Sequence, residues 1–105
     1  MVVDHSEDNE LLTLLRRGEI STFVDMYTTY FDSLLNYADR LLNDMETARD
    51  VVQQVYYKMW ENRNSLNISL SVKAYLFKSV YHGCLNTLAH QKNIQKYEQE
   101  QLSDV

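Results

Sequence analysis

Proline is absent from this chain, and glycine occurs only at positions 18 and 83. Those residue types are the strongest breakers of regular structure, so long periodic segments run here almost uninterrupted. The spacing of apolar side chains then decides which regular structure forms. Phe23, Tyr27, Tyr30, Phe31, Leu34, Leu35, Ala38, Leu41 and Leu42 recur at three- and four-residue steps, the spacing of one helix face. The expected class is all-α: a compact bundle of about four helices. With 105 residues, the chain has length for one hydrophobic core, lying between about residues 8 and 96.

Four segments follow in order. Asp8 to Arg17 carries Leu11, Leu12, Leu14 and Leu15, with Ser6 or Asp8 as its cap and Gly18 as its stop. Ser21 caps the long second helix, which runs to about Leu42. Asn43-Asp44 is so short a turn that the next helix must be its antiparallel neighbour. That helix, Asp44 to Glu61, places Ala48, Val51, Val52, Val55, Tyr56 and Met59 on one stripe, with Asp44 at its N-cap. It stops near Asn62, where an Asn- and Ser-rich loop begins. Ser71 caps a fourth helix with the stripe Val72, Leu76, Phe77, Val80, Tyr81, Cys84 and Leu88. It is expected to reach about Lys96, beyond which the chain frays.

Charge is unevenly distributed along the chain. The net charge is -5, yet residues 62–97 hold Arg63, Lys73, Lys78, Lys92 and Lys96 and no acid. An acidic first part and an acid-free later segment suit two different partners, one basic and one polyanionic. No apolar run approaches the roughly 18 residues of a membrane span. The opening residues MVVDHSEDNE lack the apolar segment of a signal peptide. A lone cysteine, Cys84, has no internal disulfide partner, so a cytoplasmic location fits.

No catalytic constellation emerges. His5, His82 and His90 do not converge with acids as a metal site requires, and there is no Gly-rich phosphate loop. Neither cofactor, metal nor enzyme activity is expected. Two surfaces remain. The polar face of the third helix, Glu46, Asp50, Gln53, Gln54, Tyr57 and Glu61, suits a basic partner helix. The fourth helix, with Tyr75, Lys78, His82, Asn86 and Lys92, suits nucleic acid: lysines meet phosphates and a tyrosine offers a stacking ring. Taken alone, either face reads equally well as ordinary solvated surface. Few cations are present, so intrinsic DNA affinity should be weak and salt-sensitive.

The stretch ARDVVQQVYYKMWENR, followed by a loop and SVKAYLFKSVYHGCLNTLAHQK, resembles the second conserved region of bacterial extracytoplasmic-function sigma factors. The upstream Phe23 and Tyr27 fit the same pattern, so the match spans about Glu10 to Lys92. The resemblance implies a transcription initiation domain that docks on core RNA polymerase, at the coiled-coil helices of the β′ subunit. Docking would fall on Glu46, Asp50, Gln53, Gln54 and Tyr57; the family commonly has Glu where this chain has Gln54. It further implies that the loop and fourth helix recognise and melt the promoter −10 element by capturing bases of the non-template strand. That role would fall on Asn62, Arg63, Asn64, Ser65, Asn67, Tyr75, Lys78, His82, Asn86 and Lys92. The family's arginine-rich helix end is here Ala89-His90-Gln91-Lys92, and His82-Gly83 stands near mid-helix, where the family often has Asn. An anti-sigma factor is a further implied partner. The chain is expected to be the N-terminal domain, without the −35-binding one. The alternative is a helical protein-interaction module, a decoy or anti-sigma-binding regulator, with no DNA role of its own.

Overall fold

A computed structural model describes residues 6–66 and 71–103 as four α-helices and one 3-10 turn. The helices are α1 (Ser6–Arg16), α2 (Ile20–Leu42), α3 (Met45–Glu61) and α4 (Val72–Ser103), with the turn at Arg63–Ser65. The all-α expectation holds among the described residues.

Local signals fix most of the boundaries. Gly18 takes φ +82°, and the N–H groups of Gly18 and Glu19 donate to the carbonyls of Leu15 and Leu14 at 3.0 and 3.1 Å. This paired closure is the Schellman arrangement, which favours glycine because it needs a left-handed residue. Helix α1 thus ends at Arg16, one residue before the expected Arg17. Glu19, rather than Ser21, is the N-cap position of α2, and no side chain caps that end. The tight turn after Gly18 brings Glu19's carbonyl to the N–H groups of Thr22 and Phe23, so α2 begins before Ser21.

At the next junction Asn43 is left-handed (φ 52°) and donates its N–H to the Asp39 carbonyl at 2.6 Å. Asp44 then caps α3 as expected, accepting from the N–H groups of Glu46 and Thr47 and from the Thr47 hydroxyl. Those hydrogen bonds, the Thr47 hydroxyl first, hold its carboxyl below the usual value. Ser71 caps α4 through its hydroxyl oxygen, which accepts from the Ala74 N–H at 3.1 Å.

Helices α2 and α3 are antiparallel. Phe23 and Tyr27 near the start of α2 meet Tyr56 and Trp60 near the end of α3, with ring centroids 4.8 to 6.0 Å apart. The Tyr56 hydroxyl donates to the Met26 carbonyl at 3.0 Å, satisfying a buried polar group within the core. Burial pushes that hydroxyl's pKa well above the ordinary phenol range, with Tyr27 and Tyr30 adding to the effect. Leu12, Leu15, Leu34, Val52, Met59, Leu76 and Val80 are among the residues buried in the same interior.

Helix α4 differs from expectation in two ways. It continues to Ser103 instead of ending near Lys96, and its described residues from Leu88 to Leu102 are all exposed. Of its expected apolar stripe, Val72, Leu76, Val80 and Cys84 are buried, but Tyr81 and Leu88 are 40% and 38% exposed. The bundle ends at about Cys84, and the rest of α4 projects beyond it. Burial raises the Cys84 thiol's pKa, as suits an inert core residue.

At Gly83 α4 packs tightly against α3. A Cβ built there would lie 2.8 Å from Val51 Cγ1. Gly83→Ala gains about 1 kcal/mol in helix propensity but meets an overpacking cost of about 1–3 kcal/mol, so a modest net loss of stability is expected. Val51→Ala in the same chain relieves the clash, and urea unfolding should show a favourable coupling between the two changes. Simple additivity would remove Gly83 as the contact that sets the α3–α4 spacing.

Candidate functional site

The polar face of α3 is divided by its neighbours. Asp50 and Gln54 face α4 and line an open groove of about 650 Å³ together with Thr47, Lys58 and Asn62. Gln53 and Tyr57 face α2 and border a second, more apolar groove of about 410 Å³ with Ile20, Phe23, Tyr27 and Trp60. Glu46, Asp50, Gln53, Gln54 and Tyr57 are all exposed. The Glu61 carboxylate, one turn on, raises the pKa of the Tyr57 hydroxyl. Helical periodicity put these residues on one continuous face; a helix flanked by α2 and α4 presents them to two clefts instead.

The larger groove has two unlike walls. Its α3 wall carries Asp50, Gln54 and Lys58, while its α4 wall is Tyr75, Ser79, His82, Gly83, Asn86 and Thr87, with no acid. Three of the expected nucleic-acid residues therefore share one wall. Tyr75 is half-buried there, and His82 and Asn86 are exposed. Thr47, Lys58, Ser79 and Thr87 were missed from sequence. A signal existed for two of them: Ser79, Gly83 and Thr87 recur every four residues, a ridge of small side chains along which a neighbouring helix can sit close.

The connector after α3 places its candidates differently. Asn62 lines the groove and donates its side-chain amide to the Lys58 carbonyl at 3.1 Å. Asn64 and Ser65 are exposed in the 3-10 turn, the Ser65 hydroxyl donating to the Asn62 carbonyl. Arg63 is engaged within the fold: its guanidinium stacks 4.2 Å over the Trp60 ring and donates from Nη1 to the Trp60 carbonyl at 2.9 Å. Asn67 lies outside the described residues. Lys78 and Lys92 are exposed and line neither groove. Among the described residues no three His, Cys, Asp or Glu side chains come together as a metal site would need. Nor, among them, is any helix long and apolar enough to cross a membrane.

The sequence model of the sigma-70 region 2 family matches residues 26–94, which takes in most of α2, all of α3 and the packed part of α4. The chain belongs to the sigma-70 region 2 family. A sigma-70 region 2 domain is a transcription initiation module, and its family is not one of enzymes. The domain is also similar to RNA polymerase sigma factor YlaC of Bacillus subtilis (strain 168), at 29% identity over 62 residues. That match covers 59% of this chain and 36% of the relative, so the chain spans about a third of the curated relative's length. No solved structure gives a significant match to this sigma-70 region 2 domain.

Proposed function

We propose that this domain docks on core RNA polymerase through α3 and reads and opens the promoter −10 element with α4 and the connector before it. The observation that carries the reading is the groove between α3 and α4, one wall bearing Asp50 and Gln54, the other Tyr75, His82 and Asn86 without an acid. Asp50, with Glu46 one turn before it, suits a basic surface such as the β′ coiled-coil helices and repels phosphate. Tyr75 offers a ring on which an unstacked base of the non-template strand can lie. Asn62, His82 and Asn86 supply donors and acceptors for its edges. A groove of about 650 Å³ is ample for one nucleobase. Asn64, Ser65 and Asn67 would contact neighbouring bases.

Lys78 and Lys92 are the phosphate contacts in this proposal. Fourteen residues apart on one helix, they fall within about 40° of the same face and about 21 Å apart along it. Replacing both with Glu should leave polymerase docking intact and weaken binding of a −10 non-template strand by the holoenzyme. The salt slope of that binding should flatten by about 1.4, or roughly 0.7 per phosphate contact on a single strand. Unchanged strand affinity and slope would remove the DNA role.

The second reading, a protein-interaction module that binds polymerase or an anti-sigma factor, draws on the apolar groove between α2 and α3. There Ile20 is 65% and Tyr57 60% exposed beside Phe23 and Trp60, a surface suited to an apolar helix. Under that reading the Glu substitutions change nothing measurable on DNA.

A further inference from the structure

Helix α1 lies upstream of the family match, yet it grips the connector between α3 and α4 at both ends. Arg16 donates from Nη2 to the Leu66 carbonyl at 2.6 Å, where the chain leaves the 3-10 turn. Asp8, a candidate cap of α1 by sequence, accepts the Val72 N–H of α4 at 3.3 Å. With Ser71 it satisfies two of the amides that open α4. A third contact adds to these: Arg63, stacked on Trp60, rests 3.9 Å from where a Gly18 Cβ would lie, at the end of α1. Leu12 and Leu15 of α1 and Leu66 of the connector are buried in the same core. The two polar grips come from residues 50 and 64 positions away in the chain, so neither is a local turn contact.

We infer that Arg16 and Asp8 are positioning residues for promoter recognition: by holding Leu66 and Val72 they set how the 3-10 turn and the first turn of α4 are placed relative to each other when they meet DNA. The inference rests on the proposed −10 role of that connector. The chemistry of the two grips is specific. Asp8 needs only an acceptor oxygen for the Val72 amide, so Asp8→Asn keeps the grip and Asp8→Ala abolishes it. Arg16 needs a long cationic donor, so Arg16→Lys keeps much of its function and Arg16→Ala none. Neither residue lines either groove beside α3, so docking through α3 is expected to be independent of both.

The test uses holoenzyme assembled from the full chain and core RNA polymerase, offered a pool of non-template strands randomised across the −10 element. Bound strands are sequenced. Wild-type holoenzyme should enrich defined bases. The Asp8→Ala/Arg16→Ala chain should dock within about twofold of wild type but lose about tenfold or more in base discrimination. Asp8→Asn and Arg16→Lys should retain the preference. Unchanged discrimination in the double-alanine chain overturns the inference, and so does equal loss in Asp8→Asn and Asp8→Ala. A wild-type holoenzyme with no base preference overturns the proposed DNA role itself, and the inference with it. Should helical circular dichroism show the double variant unfolded, the contrast between Asp8→Ala and Asp8→Asn decides in its place: loss in the alanine chain alone supports the grip, and equal discrimination in both overturns it.

Discussion

Asp50→Arg is expected to lower affinity for core RNA polymerase by at least about a hundredfold while leaving the chain's helical content unchanged, because reversing the proposed docking charge both removes an attraction and adds a repulsion. Asp50 is exposed at mid-helix, where α3 tolerates any good helix former. The arginine would follow Glu46 by four residues, an arrangement that slightly favours the helix. A loss of docking could therefore not be ascribed to unfolding. Asp50→Asn, which removes the attraction without adding the repulsion, should fall between. Affinity within twofold of wild type for the Arg variant, by titration against labelled core enzyme, would remove α3 as the docking helix.

The second large effect concerns the fold. Leu76→Ala should cost about 2–5 kcal/mol, because the side chain is wholly buried and its removal leaves a cavity. That is a large share of the roughly 5–15 kcal/mol that holds a domain folded, and the melting temperature should fall by some 10–25 °C. Leu88→Ala, three turns along the same expected stripe, should change stability by no more than about 0.5 kcal/mol, since Leu88 is 38% exposed. Thermal unfolding followed by circular dichroism measures both. Similar losses at the two positions would mean that α4 packs along a longer length than the bundle described above.

That pair also shows what could be read from sequence. The period of α4 correctly ordered Val72, Leu76, Val80 and Cys84 toward the core. It carried on through Leu88 because periodicity records which face a residue occupies, not where the neighbouring helices end. The turn at Gly18, the Asn43-Asp44 junction and the Ser71 cap were legible because each is made within a few residues of chain. The Asp8 grip on Val72 and the Arg16 grip on Leu66 were not, since a carboxylate near a helix start reads equally well as a local cap. Arg63 was placed with the DNA contacts as part of the loop that the resemblance implies; that its guanidinium would also find a cation–π partner in Trp60 was not read from the sequence. The polar face of α3 was read as one surface. Two flanking helices divide it, so Asp50 and Gln54 fall in one groove and Gln53 and Tyr57 in another.

The central claim is that α3 meets protein while α4 meets DNA across one shared groove. Photo-crosslinking tests it most directly, with a reactive residue placed at Gln54 or at Asn86 in holoenzyme bound to a −10 non-template strand. The account predicts that position 54 labels a polymerase subunit and position 86 labels the strand. If position 86 labels only protein, or both positions label the same partner, the division of the groove between polymerase and promoter is wrong.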